Sequence, residues 1–116
     1  MGLFNMKKYI RAYKTFDSEG MFGYKQISTF FEDFSIADMF GLDAIEDTYN
    51  RAFQEWKSDY KMITELCMVL NWKCWEHSED NEEYCEWYTN KFYELQDWCY
   101  DNLKGDELKY FMRTTD

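Results

Sequence analysis

The sequence predicts a mainly α fold, an antiparallel pair of long helices in a small helical bundle, on three observations. Its 116 residues contain no proline and only five glycines, so few positions interrupt a helix. From Asp43 to His77, the residues Ile45, Tyr49, Phe53, Trp56, Tyr60, Ile63, Cys67, Leu70 and Cys74 recur at intervals of three and four. That spacing holds one apolar stripe on one helix face. A second stripe, Cys85, Tyr88, Phe92, Leu95, Cys99 and Leu103, follows the polar cluster Ser78-Glu79-Asp80-Asn81.

Residues 1–42 read as an N-terminal cover segment of a single domain. Tyr9, Ile10, Tyr13 and Phe16 fit a short helix, but the alternation through Tyr9-Ile10-Arg11-Ala12-Tyr13 fits a strand equally. Asp17-Ser18-Glu19-Gly20 carries a turn signal, and Met21-Phe22-Gly23-Tyr24 is then a returning strand of a short β-hairpin. Ser35 reads as the N-cap of a one- to two-turn helix that ends at Gly41.

Asp43 reads as the N-cap of the central helix over 43–77, with Glu46 at the capping-box position. The stripe keeps its phase across Ser58-Asp59, so one helix of about 50 Å is expected. After Tyr60 the stripe widens through Met62, Leu66, Met68, Val69, Trp72 and Trp75, which predicts packing on more than one side. The cluster at 78–81 is a tight connection to an acidic helix over 82–104, closed by Gly105, and short connections make helices antiparallel. Asp106 starts a last short helix in the tail at 106–116.

The formal net charge of −10 argues against nucleic-acid or anionic-membrane binding and for a basic partner, or for solubility alone. The charge is uneven. Residues 1–16 hold Lys7, Lys8, Arg11 and Lys14 with no acid, whereas residues 76–116 hold 12 acids against 4 bases. No apolar run approaches the ~20 residues of a membrane helix. Met1-Gly2-Leu3-Phe4-Asn5 leads into Lys7-Lys8 without the apolar core of a signal peptide, and Met6 stands where a myristoylation signal wants Ser or Thr. Four cysteines without such a signal read as reduced thiols in a cytoplasm.

Three constellations are candidates for chemistry. Cys74 and His77 are one helical turn apart, and a fold at 78–81 brings Cys85 near them, so the three residues suit zinc with Glu82 as a fourth ligand. Against this, all four cysteines lie on apolar stripes, where they serve as small core residues. For catalysis there is no glycine-rich phosphate loop, no nucleophile elbow and no Glu-x-x-His pair. The expectation is therefore a non-enzyme with no catalytic residue, metal or other cofactor. Glu65, flanked by Thr64 and Leu66, is a candidate buried carboxylate, but its helical angle places it with Lys61 and Glu76, on the more polar side.

The acidic row is the strongest lead. Glu86, Asn90, Glu94, Asp97 and Asp101 fall on one face of the second helix, one turn apart, over about 22 Å. Glu79, Asp80, Glu82 and Glu83 extend it past the helix start. A rigid row of carboxylates imitates the phosphates that a basic groove binds, and its binding weakens with salt. The plain alternative is a solvated face whose first acids suit the helix dipole. Trp72, Trp87, Tyr93 and Tyr100 lie off the apolar stripes and read as surface aromatics for a partner or a homodimer, unless residues 1–42 cover them.

Four runs resemble a group of small proteins from phages and mobile elements of Firmicutes. They are residues 29–38 (Thr29-Phe30-Phe31-Glu32-Asp33-Phe34-Ser35-Ile36-Ala37-Asp38), residues 47–53, Thr64-Glu65-Leu66 with Leu70-Asn71-Trp72-Lys73, and Asn102-Leu103-Lys104-Gly105. Small acidic phage proteins of this kind include anti-CRISPR proteins. The resemblance implies inhibition of a type II CRISPR effector nuclease in the bacterial host cytoplasm. Such nucleases hold nucleic acid in positively charged channels. Anti-CRISPR proteins share no single fold, so the resemblance assigns no contact residue. The partner it implies is a basic nucleic-acid-binding protein, and the acidic row with its extension (Glu79, Asp80, Glu82, Glu83, Glu86, Glu94, Asp97 and Asp101) is the face that would meet it. The alternative is a helical protein-interaction module of phage origin, monomeric or dimeric, whose acidic face only confers solubility.

Overall fold

The structure, a computed structural model, describes residues 29–115. The hairpin or helix read over residues 9–24 lies outside them. Among the described residues there are five helices and no strand: α1 (Thr29–Asp38), α2 (Leu42–Trp56), α3 (Tyr60–Glu76), α4 (Glu82–Asn102) and α5 (Gly105–Thr115). The chain divides into two compact units between Ala52 and Phe53, within α2.

In the first unit, Phe30, Phe34 and Ala37 are buried at i, i+4 and i+7. That stripe extends α1 back to Thr29 and leaves Ser35 inside the helix. The N-cap read at Ser35 is therefore wrong: a buried aromatic stripe outweighs the capping preference of one serine. The amide of Gly41 donates to Ala37 O at 3.2 Å, and Gly41 adopts φ +111°, a backbone region glycine enters without a Cβ penalty. The carbonyl of Gly41 then accepts from the amides of Ala44 and Ile45, both at 3.1 Å. Asp43 is thus not the N-cap of α2 but lies in its first turn, where its charge suits the helix dipole. Along α2 the residues Ile45, Thr48, Tyr49, Ala52 and Trp56 are buried.

The continuous helix read over 43–77 is in fact two helices. Lys57 and Ser58 form a turn, and Asp59 adopts an extended conformation (φ −114°, ψ 102°) as the N-cap of α3. Its Oδ1 accepts from the amides of Lys61 at 3.1 Å and Met62 at 3.2 Å. Two of the orphan donors at the helix start are satisfied in this way. The apolar stripe keeps its phase through the break, so periodicity alone does not reveal it.

The second unit is built on α3. Met62, Ile63, Leu66, Cys67, Val69 and Leu70 are all buried, and α3 packs against both α4 and α5. Two neighbours explain why so much of its girth is apolar. Glu65 is buried as well, although its helical angle sets it with Lys61 and Glu76. Asn81 caps α4, its side chain accepting from Tyr84 N at 3.1 Å. α4 runs back antiparallel along α3 with Tyr88, Leu95 and Cys99 buried. The C-cap of α4 is Leu103, whose amide donates to Cys99 O at 2.9 Å, and not Gly105. Gly105, at φ +57°, instead opens α5. α5 is anchored by buried Phe111, which meets Tyr100 edge-on at 5.7 Å, and by Tyr110, which meets Tyr60 edge-on at 5.3 Å. No helix among the described residues is long and apolar enough to cross a membrane.

Candidate functional site: an acidic helix face beside an aromatic groove

The turn between α3 and α4 is fixed by a polar cluster inside an aromatic shell. Lys73 is fully buried, and its Nζ lies 2.7 Å from Glu76 Oε1 and 5.9 Å from the centre of the Tyr88 ring. His77, the C-cap of α3, stacks on Tyr88 at 5.8 Å and meets Tyr84 edge-on at 5.5 Å. Its Nδ1 lies 3.0 Å from Asp80 Oδ1. These contacts tie the connection to both helices, so Glu79, Glu82 and Glu83 leave the turn from a braced backbone.

From there the carboxylates continue along α4. Glu79, Asp80, Glu82, Glu83, Glu86, Glu94, Asp97 and Asp101 are all exposed. Glu86, Asn90, Glu94, Asp97 and Asp101 lie opposite the buried Tyr88, Leu95 and Cys99 on the helical wheel. Two of the acids are engaged: Asp80 with His77, and Glu94 with Lys91 Nζ at 3.0 Å. Among the described residues, Glu79, Glu82, Glu83, Glu86, Asp97 and Asp101 take part in no ion pair. Lys104 reaches the backbone carbonyl of Asp101 at 3.2 Å and leaves its carboxylate unneutralised. The face therefore presents a line of negative charge with little local compensation. A line of like charge raises the local concentration of a basic partner and speeds its approach.

The trio Cys74, His77 and Cys85 does not gather at one centre. Cys74 and Cys85 line a surface groove between α3 and α4, whereas His77 is turned into the Tyr84–Tyr88 shell and held on Asp80. Their ligand atoms do not converge, so zinc has no three-residue site there. The other two thiols, Cys67 and Cys99, are buried core. Burial pushes the Cys99 thiol up to about 12. It raises the Cys67 thiol as well, helped by the neighbouring Cys99. Neither is a nucleophile at neutral pH.

The four aromatics that lie off the apolar stripes divide into two exposed and two partly covered. Tyr93 and Tyr100 are exposed, but Trp72 and Trp87 are half-buried. Lys91 Nζ lies 5.3 Å over the Trp87 ring. The most exposed ring described is Trp75, at 70%, which the sequence reading counted only as extra apolar surface. Trp75 and Tyr93 line, with Phe92, the groove that holds Cys74 and Cys85, a depression of about 280 Å³. Tyr93 also lies two turns from Glu86 and one turn from Asp97 on α4, so the groove and the acidic row share an edge. No family model, curated protein or solved structure matches the chain.

Proposed function

We propose that this protein is a non-enzymatic inhibitor. Through the α4 face it binds the basic, DNA-reading surface of a nucleic-acid-binding effector, most concretely a type II CRISPR effector nuclease in the bacterial cytoplasm. The observation that carries the reading is the exposed row of carboxylates, six of which have no ion pair among the described residues. Glu79, Glu82, Glu83, Glu86, Asp97 and Asp101, with Asp80 and Glu94, offer carboxylates in place of the phosphates of a nucleic acid. Lysines and arginines of the effector then exchange a phosphate backbone for a rigid protein one. Because the contacts are charged and peripheral, affinity falls as salt rises. The resemblance to small acidic phage proteins agrees with this choice of partner.

The test is a DNA-cleavage assay with a type II effector and its guide, adding this protein before the DNA or after it. Inhibition confined to the first order of addition is the expected result, since a mimic competes for an empty DNA-reading surface. Equal inhibition in both orders rejects competition.

A second reading is favoured by Trp75 and Tyr93, which are 70% and 56% exposed. On that reading the protein is a helical interaction module, and its acidic face only keeps it soluble. Its partner binding, or its dimerisation, would then be nearly indifferent to salt.

A further inference from the structure

The groove between α3 and α4 is lined mainly by apolar side chains, and two carboxylates stand beside it on α4. Its lining residues, among them Cys74, Trp75, Cys85, Phe92 and Tyr93, include no charged side chain. On α4, Glu82 stands one turn before Cys85, and Glu86 stands one turn before Thr89 on the lining. Both glutamates are exposed and in no ion pair among the described residues. Two exposed rings on the lining of a shallow groove, with carboxylates beside it, ask for an occupant that is flat, partly apolar and cationic. A guanidinium meets all three demands. Its faces stack on Trp and Tyr rings, its methylene stem covers apolar wall, and its N–H groups donate to carboxylates and amide oxygens. Asn71, Ser78 and Thr89 on the lining supply further acceptors. A lysine ammonium, compact and strongly hydrated, uses the rings less well.

We propose that this groove is the arginine-binding subsite of the acidic face: an arginine of the partner's basic surface inserts between Trp75 and Tyr93, with Glu82 and Glu86 as counter-charges. The assignment rests on the reading that the partner is basic, and it adds one anchoring point to an otherwise diffuse charged contact. Buried or clamped arginine and aromatic groups carry much of the energy of such interfaces.

The test uses the full chain and a fluorescein-labelled nonapeptide with three arginines, read by anisotropy at low salt. Parallel peptides carry citrulline or lysine at the same three positions. The expected result is binding of the arginine peptide, at least several-fold weaker binding of the lysine peptide and none of the citrulline peptide. Trp75→Ala and Tyr93→Ala should each weaken the arginine peptide by about tenfold. Both side chains are exposed, so their removal leaves the thermal unfolding midpoint near that of the wild type, which is checked first. Wild-type affinity in Trp75→Ala, or equal affinity for the lysine peptide, overturns the assignment. So does a sedimentation result in which the wild type is a dimer and Trp75→Ala a monomer, because a second copy then fills the groove. The two readings separate in the cleavage assay. If E94K/D97K/D101K loses inhibition while Trp75→Ala keeps it, the groove assignment falls and the acidic-face function stands. If neither loses it, both fall.

Discussion

The break between α2 and α3 makes a quantitative prediction. Asp59 holds it through two hydrogen bonds from one carboxylate oxygen, to Lys61 N and Met62 N at 3.1 and 3.2 Å. Asp59→Ala removes both and leaves two amides of the first turn to water. Loss of an N-cap of this kind costs about 1 kcal/mol, which in a chain of this size lowers the unfolding midpoint by about 5 °C. Alanine is also the best helix former, so the substitution invites residues 57–59 to become helical and fuse α2 with α3. The two effects have opposite signatures. If the break is built into the packing of α3, Asp59→Ala melts about 5 °C lower with unchanged ellipticity at 222 nm, and Asp59→Asn, which can still cap, melts near the wild type. A higher midpoint together with stronger ellipticity would refute the reasoning, because it would show that the chain prefers the continuous helix and that Asp59 alone prevents it.

Three further predictions concern the second unit. Glu76→Ala removes a carboxylate 2.7 Å from the buried Lys73 ammonium and should cost about 2 kcal/mol by urea denaturation. That figure is less than a fully buried pair would give, because Glu76 is itself half exposed. Adding Lys73→Met to that background should recover most of the loss. Phe111→Ala should cost about 3 kcal/mol; because an 11-residue helix is marginal alone, the α5 amides should lose hydrogen-exchange protection before those of α3. At pH 8, native protein should label with iodoacetamide at half-buried Cys74 and Cys85 and stay unlabelled at Cys67 and Cys99. Since the folded Cys99 thiol keeps its proton up to about 12, its contribution to stability is intact below the ordinary thiol range and is lost as pH rises from about 9 toward 12. From pH 9 to 10 the wild type should therefore lose about 1 kcal/mol more than Cys99→Ala.

The helical architecture and the pairing of α3 with α4 were legible because apolar spacing at threes and fours reports which face of a helix is buried, and α3 and α4 bury those faces. The helix ends were not legible for the same reason. Periodicity carries the phase of a stripe and is blind to a break that preserves it, as at Asp59, where only the capping carboxylate marks the boundary. Ser35, Asp43 and Gly105 mislead in the opposite direction, since each is a residue type that favours an end, yet Ser35 lies inside α1, Asp43 in the first turn of α2 and Gly105 beyond the Leu103 cap of α4. Glu65 and Lys73 are both buried, which the angle of Glu65 beside Lys61 and Glu76 did not indicate and the spacing of the apolar stripe left open for Lys73. The spacing of Lys73 to Glu76 and His77 to Asp80, both i to i+3, was the available signal for the polar cluster at the turn. The acidic row lies along exposed surface because a helix with one buried side leaves the other to solvent. The Cys74–His77–Cys85 trio failed because nearness along the chain does not determine where an imidazole points, and Tyr84 and Tyr88 offer it an aromatic stack. Trp75 read as buried surface of the widened stripe rather than as an exposed ring, since spacing cannot tell the covered edge of a stripe from an uncovered one.

The measurement closest to the central claim is inhibition of guided DNA cleavage by E94K/D97K/D101K, with the variant's fold checked by circular dichroism and thermal unfolding. All three residues are exposed on α4 and none is part of the core, so the charge of the C-terminal half of the row reverses while the bundle persists. The account predicts a folded variant that no longer inhibits, and a wild type whose inhibition declines steadily as salt is raised. Inhibition by the folded variant equal to that of the wild type would contradict it.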